Sequence, residues 1–179
     1  RYYAEGADEI IYMDIVASLY ERNLDFGQLR SVSENIFVPF TVGGGIRSIK
    51  DVNDALRAGA DKVAVNTYAI MHPEFLTEAV HHFGSQCIVL SVEAKRMKEG
   101  SWEAYTEGGR ERTGVDAIEW IKKAIALGVG EIMLTSIDQD GTKKGYDIEL
   151  VKAVGAFSPV PVIAHGGAGN IEDIARVIK

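Results

Sequence analysis

Short apolar runs recur along the chain, each ending in a polar or glycine-rich step and each followed by a helical pattern. The runs at 9–14, 37–42, 62–65, 88–92, 132–134 and 160–164 predict six strands. Their residues are mostly apolar rather than alternating, so each strand expects burial on both faces, as in a parallel sheet. Between them the pattern predicts helices over about 25–35, from the Ser48 N-cap to Arg57 with Gly59 as stop, and from Pro73 to Gly84. Further helices are expected over 115–127, closed by Gly128, over 147–157, and after an N-cap at Asn170. The first residues, 1–6, read as the last turns of a helix capped by Gly6. Residues 15–23 read as a loop. A charged insert at 95–114 contains Trp102-Glu103-Ala104-Tyr105-Thr106, which alternates like a small exposed hairpin.

An internal repeat chooses the architecture. Gly6-Ala7-Asp8-Glu9-Ile10 recurs as Gly128-Val129-Gly130-Glu131-Ile132, an offset of 122 residues. At the same offset Pro39 matches Pro161, Gly44-Gly45 match Gly166-Gly167, and Asp51 matches Asp173. Four βα units separate the matching points, and halves that repeat every four units close as eight. The expectation is an α/β fold: a (βα)8 TIM barrel forming a single domain over 1–179. Six βα units are present in this reading, with the first and eighth strands missing. An open doubly wound sheet is the alternative, but it gives the halves no reason to match.

Composition narrows the function. A formal net charge of −7 argues against a nucleic-acid surface, yet backbone amides can still seat a small anion. No apolar run approaches the ~20 residues of a membrane span, and no signal peptide is visible, so a cytoplasmic location is expected. The only cysteine, Cys87, opens an apolar run and reads as a core residue. No His, Cys or carboxylate spacing suggests a metal site, and no cofactor is implied.

Candidate chemistry gathers where strands end, because the carboxyl ends of parallel strands carry the sites of such folds. Gly43-Gly44-Gly45 and Gly166-Gly167 each follow a strand and lead into a helix, half a barrel apart. Tight turn geometry alone would use glycine there; two such turns at symmetric positions suggest two anion sites for a substrate with a phosphate at each end. Asn66 and Thr67 could add side-chain donors to the first. Between the two sites lie Asp14, Glu93, Thr135, Ser136 and Asp140, with Gly141 in the turn after them. Glu93 ends an apolar strand where a charge is costly without purpose, which makes it the candidate general acid or base. A rim salt bridge to Lys95 or Arg96 is the plainer account. His165, before the second glycine pair, is a possible rim donor or a structural histidine. At the opposite ends of the strands, Glu9, Lys62 and Glu131 each open a strand and would ring the bottom of the barrel; on composition alone, ordinary rim ion pairs are the better account.

Taken together, GADEIIYMDI, VPFTVGGGI, GADKVAVNT, FGSQCIVLSVEAKR, GEIMLTSIDQDGTKKGYD and the terminal GGAG resemble the HisF family, the cyclase subunits of imidazole glycerol phosphate synthase. The likeness runs through essentially the whole chain. It implies a lyase of histidine biosynthesis in which ammonia meets a bisphosphorylated ribulosyl formimino-aminoimidazole carboxamide nucleotide. The products would be imidazole glycerol phosphate and aminoimidazole carboxamide ribotide. It also implies a partner glutaminase at the bottom of the barrel, forming a heterodimer and feeding ammonia through the core. On this resemblance Glu9, Lys62 and Glu131 become three charges of an ammonia gate, and Asp61 a contact of the glutaminase. Gly45, Asn66 and Thr67 match one phosphate site. Asp140, Gly141 and Gly167 match part of the other, with Asp140 also expected in catalysis.

On the same resemblance the family's first catalytic aspartate belongs on the missing first strand, and three further features depart from the family pattern. Glu93 stands where the family has an aspartate, one methylene shorter. His165 replaces the usual serine before the glycine turn. Residues 15–20, Ile-Val-Ala-Ser-Leu-Tyr, replace the common loop. These changes resemble the HisF-like, WbuZ-type paralogs of surface-glycan clusters, which conduct ammonia for a sugar amidotransferase. A phosphosugar isomerase like HisA is a third alternative.

Overall fold

The computed structural model describes residues 3–15, 24–98 and 100–178. Among them eight strands follow one another: β1 (Ile10–Met13), β2 (Phe40–Gly43), β3 (Lys62–Val65), β4 (Ile88–Lys98), β5 (Ser101–Thr106), β6 (Glu111–Asp116), β7 (Glu131–Ser136) and β8 (Val162–His165). The helices are α1 (Phe26–Ser33), α2 (Ile49–Arg57), α3 (Thr67–Met71), α4 (Glu74–Phe83), α5 (Ala117–Ala126), α6 (Ile148–Gly155) and α7 (Ile171–Ile178). Pairing is parallel through β1–β2–β3–β4–β7–β8, so all six expected strands are present in the expected order. β1 and β8 are the edges of this sheet among the described residues. No helix among them is long and apolar enough to cross a membrane. Of the expected 15–23 loop only Ile15 is described, so the departure at 16–20 lies outside the described residues, as do Arg1 and Tyr2.

The sheet curls, and its two faces do different work. Outward residues such as Val42, Val63, Leu90, Ile132 and Leu134 join the helices in one large core. Inward residues Ala64, Val89 and Met133, flanked by Ile11 and Met13, form a second, smaller cluster on the concave side. A β-carbon at Gly43 would fall 2.5 Å from the Met13 sulfur and 3.0 Å from Ala64 Cβ. The strand therefore needs a residue without a side chain where Met13 folds across it. Lys62 supplies a second sign of curvature. Its ammonium reaches Glu131 on β7 at 2.8 Å and Glu9 beside β1 at 3.2 Å. Each lies two strands from β3, about 9.6 Å away on a flat sheet, so a single ammonium meets both only if the face is concave.

The repeat is visible in hydrogen bonds. Ile10 N–H donates to Pro39 O and, 122 residues on, Ile132 N–H donates to Pro161 O, both at 3.0 Å. Ser48 Oγ accepts from Asp51 N–H at 3.1 Å, and Asn170 Oδ1 accepts from Asp173 N–H at 3.0 Å. Asp51 and Asp173 in turn each accept from the backbone N–H four residues earlier, at 3.0 Å. Both glycine turns are thus locked by the same cap, with a carboxylate in the first turn of the helix where its dipole favours negative charge.

Several expectations shift. The N-terminal turn is a 3-10 segment, Tyr3–Glu5, closed by Gly6 N–H on Tyr3 O at 3.0 Å. β2 begins at Phe40, because Phe37 lies outside the pairing and is exposed. α3, a single short turn, intervenes before α4. The largest correction concerns the insert. β4 does not stop near Glu93 but continues to Lys98, pairing on one side with β7 and on the other, from Glu93 onward, with antiparallel β5. Trp102 through Thr106 are buried rather than exposed; only β6 faces solvent. Val115 and Asp116 complete β6, and Asp116 caps α5, which delays that helix to Ala117.

The hairpin is tied down at Asp147. Its carboxylate caps α6 through Leu150 N–H (3.1 Å), accepts from Trp102 Nε1 (3.2 Å), and pairs with Arg96 (2.7 Å). Arg96 also bonds Glu149 at 2.7 Å and lies 4.8 Å from the Trp102 ring centroid. Asp138, in the turn after β7, accepts from Arg96 N–H (2.8 Å) and Lys95 (3.1 Å). Burial opposes its charge, but these bonds hold its carboxyl below the usual range. Asp147→Ala should destabilise the fold by about 3 kcal/mol, since it strands a buried indole N–H and a partly buried guanidinium and removes a cap. Urea unfolding of the variant measures this.

Candidate active site

Side-chain alternation and register build the site. In β4, β7 and β8 the pairs Glu93↔Thr135 and Thr135↔His165 are directly opposed. All three residues point into the concave face, two residues beyond the inward pair Ser91 and Met133. They form one row at the carboxyl ends of the strands. Thr135 Oγ1 and His165 Nδ1 are 3.1 Å apart. Ser136, the next residue, points the other way, sharing the outer face with its partner Ala94. It is buried, and its hydroxyl has no partner.

Glu93 is half enclosed, and its Oε2 accepts from Gly109 N–H (2.7 Å) and Asn66 Nδ2 (3.0 Å). Burial pushes its carboxyl above the usual value. Gly109 and Asn66, by donating to the charged form, and the Arg110 charge work against this, while the Glu107 charge adds to it. A shift in this direction moves a carboxyl toward the range in which a general acid or base works. Asn66 also donates to Tyr105 O at 3.1 Å, which orients its amide and leaves Oδ1 buried without a partner. Its expected donors toward an anion are therefore spent on Glu93 and the hairpin. Thr67 Oγ1 accepts from Glu107 N–H at 3.2 Å.

These groups line a cavity of about 300 Å³, open at the mouth of the sheet. It brings together Asp14, Gly44, Gly45, Asn66, Thr67 and Glu93, so the first half of the expected site is assembled. Arg47 and Glu107 lie in the same wall. Gly44 has φ +106°, and a β-carbon there would strike Asp14 O. The strand end and the turn before α2 approach too closely for any other residue. The equivalent Gly166, φ +89°, would place its β-carbon 2.9 Å from Ser136 O and 3.3 Å from Asp140 N. Gly167, Asp140 and Gly141 belong to this second half. Asp140 and Gly141 are exposed in the turn after β7 and stand outside the 300 Å³ cavity, at the same end of the sheet.

Glu107 and Gly109 were not among the residues the sequence singled out. They occupy a four-residue turn between β5 and β6 in which Glu107, Gly108 and Gly109 have φ +53°, +66° and +77°. For a non-glycine residue this conformation costs about 1 kcal/mol. The signal available was Glu107-Gly108-Gly109 itself, a glycine pair at a hairpin tip. Its relevance depends on β5 pairing with the strand that carries Glu93.

At the amino ends of the strands Glu9, Lys62 and Glu131 form one connected ion-pair triad. Burial pulls the Lys62 ammonium down, but its two carboxylate partners prevail and hold it above its ordinary value. Asp61 accepts from Phe40 N–H at 2.8 Å and donates its own N–H to Phe40 O at 2.8 Å, clamping β2 to the start of β3.

Comparison with known proteins agrees with this geometry. The histidine biosynthesis protein family matches residues 1–179. The imidazole glycerol phosphate synthase subunit HisF of Legionella pneumophila is 55% identical over 172 residues, covering 96% of this chain and 81% of that protein. The HisF subunit of Streptococcus mutans is 46% identical over 178 residues, covering 99% of this chain and 71% of the relative. That of Prochlorococcus marinus is 49% identical over 181 residues, covering 100% and 71%. With a curled parallel sheet, paired glycine turns and a rim carboxylate, the chain belongs to the histidine biosynthesis protein family of (βα)8 barrels, in the branch of HisF, the cyclase subunit of imidazole glycerol phosphate synthase.

Proposed function

We propose that this chain joins ammonia to the bisphosphorylated ribulosyl formimino-aminoimidazole carboxamide nucleotide at the carboxyl end of the sheet. The products are imidazole glycerol phosphate and aminoimidazole carboxamide ribotide. The observation that carries the reading is Glu93, a half-enclosed carboxylate held by Gly109 N–H and Asn66 in a cavity whose far wall is a glycine turn at a helix start. Glu93 holds or moves the proton in this reading. Backbone amides at Gly44-Gly45 and Gly166-Gly167 seat one phosphate each, and Asp140 works between them. Ammonia enters between Glu9, Lys62 and Glu131 from a glutaminase subunit docked near Asp61, a cytoplasmic arrangement.

A second reading draws on Glu93 and His165: the barrel conducts ammonia for a dedicated amidotransferase and leaves the nucleotide untouched. The His165 ring, bonded to Thr135, occupies a rim position that the resemblance gives to serine. The two readings separate in one assay. Supplied with ammonium salt, the protein is expected to convert the nucleotide, and Glu93→Gln to lower kcat by about a hundredfold or more. Inert protein that co-purifies with a glutaminase would favour the amidotransferase role.

Lys62→Ala should cut glutamine-dependent turnover by about tenfold while leaving turnover with ammonium salt intact. Equal effects in both assays would remove the triad from the ammonia route. Glu93 also makes a stability prediction. Its folded-state pKa lies above the unfolded value, so the native state binds this proton more tightly. Its contribution to stability falls as pH rises from the unfolded value through the folded one. Glu93→Gln should therefore be relatively more stable at pH 7 than at pH 4, as read from urea midpoints at the two values.

A further inference from the structure

Buried polar atoms without partners are rare in folded proteins and call for an explanation. Among the described residues four such side-chain atoms occur, and two of them, Glu107 Oε2 and Asn66 Oδ1, belong to residues that line the 300 Å³ cavity. Both are hydrogen-bond acceptors. Asn66 is fixed in its orientation by donating to Glu93 and Tyr105 O, so its Oδ1 cannot turn away. Glu107 is held by its own N–H on Thr67 Oγ1, and the next turn residue but one delivers Gly109 N–H to Glu93. The hairpin tip thus adds Glu107 to a cavity wall that already carries Glu93 and Asp14. It does so in a left-handed conformation that a glycine would adopt without strain. Strain and an unpaired acceptor at one residue point to function rather than folding.

We propose that Glu107 is a second catalytic carboxylate of the cavity, facing the reacting group together with Glu93 and accepting an N–H or O–H of the substrate on its unpartnered Oε2. The inference rests on the reading of the cavity as the nucleotide site. Its charge also acts on Glu93, where it favours the protonated acid. The other titratable or charged groups around Glu93 are Asp14, Arg47, Tyr68 and His72 in the cavity wall, Tyr105 directly opposite it on β5, and Arg110 in the hairpin turn. Arg110 opposes the effect of Glu107.

Two variants test this. Glu107→Gln removes the charge and keeps the shape; Glu107→Gly removes the acceptor and relieves the backbone. Carboxyl carbon-13 NMR, with Glu93 assigned through Glu93→Gln, should show the Glu93 pKa falling in Glu107→Gln. The limb of the kcat/KM profile governed by Glu93 should move to lower pH with it. Glu107→Gly should melt no lower than the parent yet lose about tenfold or more in kcat/KM. An unchanged Glu93 titration in Glu107→Gln, or full kcat/KM in Glu107→Gly, would overturn the proposal. The NMR titration needs no turnover, so parent protein inert toward the nucleotide would count against the proposed reaction, and the titration would still decide whether the two carboxylates are coupled.

Discussion

The parallel pairing of β4 with β7 holds the site together. Six consecutive residue pairs, from Val89↔Glu131 to Ala94↔Ser136, fix which side chains face the concave interior. A slip of one residue would exchange Glu93 with Val92 or Ala94 and drive a carboxylate into the layer between sheet and helices. That layer is apolar: Leu90, Val92, Ala94, Ile132 and Leu134 are essentially inaccessible there. Burying an unpaired carboxylate in it would cost several kcal/mol. The hydrophobic core on the outside of the sheet therefore positions the side chains on the inside, and at its margin Ile46 and Val65 also line the cavity.

The same alternation separates two polar regions on one surface. β7 opens with Glu131 in the triad and presents Thr135 four residues later in the rim row. At about 3.3 Å per residue the two ends are some 13 Å apart. The concave layer between them contains Ala64, Val89 and Met133 with Ile11 and Met13, and Ser91 opposite Met133.

The hairpin joins folding to function. Its first strand contributes Trp102, Ala104 and Tyr105 to the buried interior, and its base is pinned to α6 through Asp147 and Arg96. Its tip contributes nothing comparable to the core. Instead it places Gly109 N–H on Glu93 and leaves Glu107 strained and incompletely bonded in the cavity wall. Local conflict of this kind is tolerated where a rigid surround enforces it and tends to mark functional positions. Arg96 and Asp138 extend the connection to the turn that carries Asp140, so both halves of the rim share one set of supports.

The chain by itself determined the order and direction of the six parallel strands, the caps at Ser48 and Asn170 and the 122-residue repeat, and it singled out Glu93 as a candidate. These follow from short-range chemistry: apolar periodicity, cap geometry, and the cost of a lone charge at the end of an apolar run. Tertiary structure decided the rest. Whether 101–106 is buried depends on β5 pairing with an extended β4, a contact no local pattern encodes. Ser136 and Thr135 are indistinguishable as adjacent polar residues until register assigns them opposite faces. Asn66 read as an anion donor because its neighbours are donors; the fold spends it on Glu93. Glu107 reaches the site only because the hairpin folds back over the strand ends. Function here rests on which distant residues share a cavity, and only the folded chain brings them together.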